Sequence, residues 1–217
     1  PMTTDYHVDT GNPLTLWCTP HSLYSGKVRS YLIKKGLPFR ELLPPHPRFG
    51  AEVLPAVRHF VVPVLETTDG KFIQDSTVII EELERRFPER PMVPTTPVQR
   101  VVAGLLGGFG SEGLLSIAMH YRWSYRAEQE HFLQAEFGRA AHHGPDRAER
   151  LAAGAGLMDY FNGFLPNLGI SPETTAAFEA SFEDLLDVLD VHFQHYPYLL
   201  GGLPSTADFG FMAPLFA

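Results

Sequence analysis

Three prolines in seven residues, Pro91, Pro94 and Pro97, separate two stretches of this chain whose apolar residues repeat with different periods. A proline donates no backbone hydrogen bond and fixes its own φ, so such a cluster interrupts helices and sheets alike and marks a boundary between ordered units. Ahead of it, short strand-like runs alternate with helical spacing and tight turns; behind it, every long segment repeats at three to four residues. The sequence therefore predicts an α/β unit over residues 1–90, a linker over 91–97 and an all-α helical unit over 98–217. With 217 residues, 44% hydrophobic and 12% aromatic, both units have material for a shared core. Disordered, collagen-like and disulfide-scaffold chains are excluded.

In the first unit, residues 1–10 read as a polar lead and 14–19 as a strand. A helix follows, capped by Ser22 or Ser25, with Val28, Tyr31, Leu32 and Lys35 at helical spacing and Gly36 as its stop. Residues 39–43 suit a second strand, and 44–60 a loop with one short helical turn. Strands over 61–66 and 71–73 flank Thr67-Thr68-Asp69-Gly70, a strong hairpin turn because glycine accepts positive φ. Pro63 cannot donate to a sheet ladder, so it belongs at an edge, at a bulge or on a cis peptide. Asp75-Ser76 opens a helix with Val78, Ile79, Leu83 and Phe87 facing inward and Pro88 ending it. The order is βαβ, then ββα.

Four helical segments follow the linker, over 98–120, 121–141, 146–165 and 173–195. In the last, Phe178, Phe182, Leu185, Leu186, Leu189 and Phe193 share a face, and Ser171-Pro172 supplies an N-cap and a first-turn proline. Gly104 and Gly108 are candidates for close helix approach. The stretch 101–119 has the length of a membrane span, but it carries Glu112 and five glycines and reads as a buried helix. Ser205 and Asp208 form a capping box with Asp in place of Glu.

Residues 1–95 hold 11 Lys/Arg and 11 Asp/Glu, whereas 96–217 hold 6 and 14, so the whole net charge of −8 falls on the helical unit. An acidic balance without cationic runs argues against nucleic acid and anionic membranes as partners, and leaves small molecules or proteins. The single cysteine, Cys18, forms no internal disulfide, and the first residues lack a secretory signal pattern, which predicts a cytoplasmic setting. A di-iron site needs two Glu-x-x-His motifs, and only Glu128 and His131 supply one, so no metal site is expected.

Three strings, LTLWCTPHSLYSGKVRSYL (14–32), VVPVLETTDGKFIQDSTVIIEELERRFP (61–88) and LPSTADFGFMAPL (203–215), together resemble the cytosolic glutathione transferases of the serine and cysteine types. The resemblance implies a thioredoxin-like N-terminal domain joined to an all-helical C-terminal domain. It implies glutathione as co-substrate without a metal, a site between the domains, a homodimer, and transfer of the glutathione sulfur to a small hydrophobic electrophile. Glutathione-dependent isomerisation, disulfide or peroxide reduction, and a non-catalytic binding role are the alternatives.

Residue by residue, Ser22 matches the catalytic Ser or Cys. A hydroxyl there donates to the glutathione sulfur and lowers a thiol pKa from about 8.5 toward neutrality; its plain reading is a helix N-cap. Thr19 and Tyr24 are neighbours for the same role, and Cys18 lies too early and reads as buried and inert. Val62-Pro63 matches the element whose backbone pairs with the cysteinyl part of glutathione. Asp75 and Ser76 match the pair that holds the γ-glutamyl end at a helix start. Many members carry Lys before the Val-Pro pair for the glycyl carboxylate; here the residue is Val61, with Arg58, His59 or Lys71 as substitutes. Tyr24, Tyr121 and Trp123, with Tyr125 beside them, are candidates for the electrophile pocket, and core packing is their plain reading. The resemblance would also continue the final helix past Ala217.

Overall fold

The computed structural model describes residues 13–216, so the polar lead at 1–10 lies outside the described residues. The first strand, β1 (Leu14–Trp17), is buried along its whole length, with β2 (Phe39–Leu42) parallel on one side and β3 (Val64–Glu66) antiparallel on the other. β4 (Phe72–Gln74) pairs antiparallel with β3, giving the order β2-β1-β3-β4. The crossover between β1 and β2 is α1 (Leu23–Lys35), whose start is set by Ser22 and whose end by Gly36 at φ 75°. The 61–66 strand begins only at Val64, because Pro63 has no N–H for the ladder, and the Val62–Pro63 peptide is cis. Residues 44–60 contain a π-helical turn, Phe49–Val53, running into the short α2 (Leu54–Val57).

A helix on the same face as α1 completes this unit: α3 (Ser76–Arg86). Its Ile79, Ile80 and Leu83 pack with Leu16, Val28, Tyr31, Leu32 and Leu65 into one core. Val78, expected inside, is 48% exposed, and Ile80 takes the inner position instead. The arrangement is a thioredoxin-like domain with a four-stranded mixed sheet.

The proline-rich segment 91–97 is strapped down. Glu84 on α3 accepts from Lys35 (2.6 Å), Tyr31 (2.7 Å) and the Met92 N–H (2.8 Å), and the Met92 carbonyl accepts from the Thr206 N–H at 3.0 Å. Lys35 is fully buried and its charge is met by Glu84, as an ion pair away from water requires. Helix α4 (Pro97–Gly108) starts at the last linker proline with Thr96 as its cap.

The apolar segment 98–120 is two helices rather than one. A π-helical turn, Phe109–Gly113, separates α4 from α5 (Leu115–Ser124). Val98, Val101, Leu105 and Phe109 face outward, and within α4 only Ala103 is buried, so the expectation of a buried helix holds for α5 and fails for α4. By length and composition, Pro97–Ser124 is apolar enough to cross a membrane. Gly104 and Gly108 look onto open space; the close crossing is at Gly110, where a Cβ would stand 2.6 Å from the backbone of Gly210 and Phe211.

Helices α6 (Arg126–Ala141) and α7 (Arg147–Asn162) form an antiparallel pair, followed by α8 (Thr175–Phe193). The α8 helix begins after Ser171-Pro172 without using Ser171 as its cap. It packs Phe178, Phe182, Leu185 and Leu189 around Ile117 of α5 and Phe211, leaving Leu186 and Phe193 exposed. The last helix, α9 (Thr206–Leu215), has the Ser205–Asp208 capping box and wedges between α1 and α4. Its Phe209 ring meets Tyr31 of the first domain edge-on at 5.4 Å, so α9 joins the two cores.

Candidate functional site

A cavity of about 660 Å³ lies between the two halves. The thioredoxin-like side contributes the β1–α1 turn (Thr19, His21, Ser22), Tyr24, and the segment Phe60-Val61-Val62 ahead of β3. Helices α5, α6 and α7 contribute the opposite wall. Leu115, Met119, Arg122 and Trp123 come from one face of α5, spaced i, i+4, i+7 and i+8. The α6–α7 pair adds further aromatic rings, and its tight crossing holds that wall in place. At Gly154, a Cβ would stand 2.3 Å from the Gln134 carbonyl oxygen.

On the first wall, Ser22 has extended backbone and its Oγ accepts the Ser25 N–H at 3.2 Å. The N-cap reading therefore holds, and because Oγ accepts in that bond, its own hydrogen remains free to donate. The backbone N–H and C=O of Val62 take no hydrogen bond among the described residues, which leaves an extended edge for a peptide to pair with. Thr19 is buried, with Oγ1 unpartnered. Cys18 lines none of this: it is 1% exposed, Arg29 donates to its Sγ at 3.5 Å, and burial, then the nearby Glu41 carboxylate, push the thiol up to about 12. It stays protonated and inert near neutral pH.

Tyr24 borders the cavity with its ring and spends its hydroxyl elsewhere. The hydroxyl donates to the Ser111 carbonyl (3.2 Å) and to the Glu112 carboxylate (3.3 Å), and burial followed by Glu112 push it up to about 12. Beside it, Lys27 is buried and donates to Thr77 Oγ1 (3.0 Å) and Ser111 Oγ (3.1 Å), tying α1 to α3 and to the π turn. Burial lowers its pKa, opposed by Asp75, Glu112 and Glu81. The sequence reading gave Lys27 no role. Its place on the inner face of α1, four residues before Tyr31, was the signal that it is a buried strut.

Asp75 and Ser76 stand at the start of α3, outside the cavity lining, and Thr77 beside them accepts from Lys27. The Asp75 carboxylate caps α3 by accepting from the N–H groups of Thr77 (2.8 Å) and Val78 (3.1 Å). Its φ of 79° is strained for a residue with a Cβ, a cost of about 1–3 kcal/mol that recurs at ligand-holding positions. Ser76 is 6% exposed.

On the helical wall, Trp123 lines the cavity and Tyr121 does not. Tyr121 points to the other side of α5, stacked on Tyr125 and tilted against Phe182, in the core that α8 covers. The reason is helical geometry: residues 121 and 123 are 200° apart around α5, so only one of them can face the cavity. Arg122 escaped the sequence reading, although a lone cation on the otherwise apolar 115/119/123 face was visible there. It is 8% exposed, and burial pushes its guanidinium down to about 10. His21, in van der Waals contact with Phe137 (ring centroids 3.9 Å apart), is held down to about 3 by burial and then by the Arg122 charge, so it is neutral at pH 7. For the glycyl carboxylate, Arg58 and His59 are exposed just ahead of Phe60, whereas Lys71 is paired with Asp69 (3.4 Å) at the hairpin turn. Among the described residues no group of three or more His, Cys, Asp or Glu is placed to hold a metal ion.

Residues 16–91 match the family described as glutathione S-transferase, N-terminal domain. No curated protein sequence matches the chain. Among solved structures, the chain is similar to a glutathione S-transferase from Rhodospirillum rubrum (18% identity, TM-score 0.58, covering 93% of this chain and 76% of that one). It is also similar to the beta-etherase LigF from a Sphingobium species (20%, 0.59, 93% and 82%). FzlA from C. crescentus is a third (21%, 0.57, 94% and 77%). These likenesses establish the fold over both halves of the chain.

Proposed function

Starting from a chain whose residues 16–91 are a glutathione S-transferase N-terminal domain of unassigned class, folded throughout like those transferases, we propose that it binds glutathione and transfers its sulfur to a small hydrophobic electrophile. The observation that carries this reading is a single cavity. Ser22 and the unpaired Val62 backbone stand on one wall, and apolar aromatic side chains on the other. In this reading the Val62 backbone pairs with the cysteinyl residue of glutathione. The Ser22 hydroxyl donates to the sulfur, and the positive end of α1 adds to the stabilisation of the thiolate. Ser76 and the N–H groups at the start of α3 hold the γ-glutamyl carboxylate, with Asp75 opposite the ammonium. Arg58 and His59 take the glycyl carboxylate in place of the missing Lys. Trp123 and the ring of Tyr24 border the electrophile. Holding both substrates side by side removes the entropy of their encounter.

The division at 91–97 is then a functional one, with glutathione on the first domain and the electrophile mostly on the second. The outward apolar face of α4 (Val98, Val101, Leu105) supports a homodimer, a second copy covering what this chain leaves exposed. The one free thiol, buried at Cys18, accords with a cytoplasmic setting.

Thr19 is the second reading for the sulfur's hydrogen-bond donor, since its Oγ1 has no partner while Ser22 Oγ already serves α1. Steady-state conjugation of 1-chloro-2,4-dinitrobenzene by the Ser22→Ala and Thr19→Val variants separates the two. The larger loss of kcat/KM identifies the donor. A thermal shift with millimolar glutathione tests binding apart from catalysis, because ligand at 100 times its Kd adds about 2.7 kcal/mol. Absence of both shift and conjugation would leave a non-catalytic role.

A further inference from the structure

Of the six Lys/Arg in residues 96–217, Arg122 is the one that lies buried in the cavity wall with its charge unanswered. The segment carries 14 carboxylates, and Arg126 and Arg139 sit against two of them (Asp159 and Glu136). Arg122 has no hydrogen bond and no ion pair among the described residues, and burial pushes its guanidinium down. Removing a guanidinium from water without a counter-charge is costly, and an apolar side chain of similar length would pack this wall better. Nearby, Trp123 Nε1 and His21 Nδ1 are fully buried without partners. The rest of the wall consists of rings and branched aliphatics, including Phe137, Tyr160 and Phe161. A planar cation lining the same cavity as these rings is built to receive a flat apolar body with an oxyanion on it, since the guanidinium fork matches a carboxylate bidentately.

We propose that the second substrate is an aryl electrophile carrying a carboxylate or equivalent oxyanion, selected by an ion pair with Arg122 while its ring lies among Trp123, Phe137 and Phe161. This specificity rests on the reading of the cavity as a glutathione-transfer site. In the transfer, the glutathione thiolate attacks the ring carbon that bears the leaving group. The C–S bond forms, the carbon–halogen bond breaks, halide departs with the electron pair, and the thiol proton goes to water. Neutral His21 leaves Arg122 as the one positive charge in contact with the bound anion.

The test has two arms, on wild type, Arg122→Met and Arg122→Lys. Without glutathione, quenching of tryptophan fluorescence follows binding of 1-naphthoate and of its neutral counterpart 1-naphthalenemethanol; Trp123 lines the cavity and Trp17 is the only other tryptophan. Wild type binds the naphthoate on the order of 10- to 100-fold more tightly, Arg122→Met abolishes that preference, and Arg122→Lys keeps part of it. Arg122→Met also melts no lower than wild type, which separates a ligand-pairing arginine from a structural one. With glutathione, the ratio of kcat/KM for 4-chloro-3,5-dinitrobenzoate to that for 1-chloro-2,4-dinitrobenzene falls by a similar factor in Arg122→Met. Equal binding of naphthoate and alcohol by wild type overturns the proposal. So does a rise in the KM for glutathione common to both chlorides, which would assign Arg122 to glutathione's own carboxylate. Arg122-dependent naphthoate binding with no conjugation at all would retain the anion site and sink the transfer reading instead.

Discussion

The two walls of the cavity are made differently. On the thioredoxin-like side, the candidate groups are helix caps and turn backbone: Ser22 opens α1, Asp75 opens α3, and Val62 precedes β3. Two of them already serve the fold, and nearby charges such as Lys27 and Lys35 have partners. On the helical side, the groups are single side chains gathered from α5, α6 and α7, and Trp123 Nε1 has no partner there, as Thr19 Oγ1 and His21 Nδ1 have none on the first wall. The contrast teaches that the first wall is set by the local hydrogen bonds of caps and turns. The second is set by which helices pack together, and both carry polar atoms that a ligand would satisfy.

The largest expected effect tests the first wall. Ser22→Ala lowers kcat/KM for conjugation by on the order of 100-fold, and its loss of the cap lowers stability by only about 1 kcal/mol. Rates and urea midpoints measured together show whether these parts separate; a fall in stability with rates unchanged would reduce Ser22 to a cap. Gly154→Ala attacks the other wall. Its Cβ meets a carbonyl oxygen at 2.3 Å, so α6 and α7 must part, at a cost of about 2 kcal/mol. The contrast predicts weaker electrophile binding while glutathione still raises the melting temperature; equal loss of both would show that the walls are not independent.

Next in size is a pH effect at His21. Its folded pKa is depressed from 6.5 to about 3, so above pH 6.5 neither folded nor unfolded chain carries its proton. As pH falls from 6.5 toward 3, the unfolded chain binds that proton and the folded one does not, and stability is lost by up to about 1.4 kcal/mol per pH unit. Urea unfolding at pH 7.0 and 5.0 should show a drop that His21→Asn largely removes. Smallest is Asp75→Gly. It relieves the positive φ and forfeits the cap, so stability changes by less than about 1 kcal/mol, whereas the KM for glutathione rises severalfold because the carboxylate opposite the ammonium is gone.

Most of the first wall was readable from the chain. Ser22, Asp75 and the turn at Gly70 act through hydrogen bonds three or fewer residues away, so their residue types announce them. The second wall was half legible. Trp123 faces the cavity, Tyr121 does not, and Arg122 went unread, because orientation around α5 depends on where α8 and α7 pack. The π turn at Phe109–Gly113 separates the exposed α4 from the buried α5, and Gly107 and Gly110 met α9, neither Gly104 nor Gly108.

By itself, the sequence determined the order of elements in the first unit and the caps at Ser22, Asp75 and Ser205, since all of these depend on the backbone preferences of neighbouring residues. Tertiary structure alone decided that the proline-rich segment would be tied down by Glu84, that Lys27 would become a buried strut, and that Arg122 would be buried without a counter-charge. Each of those depends on helices distant in sequence meeting across a shared core, where burial rather than residue type sets what a charge can do.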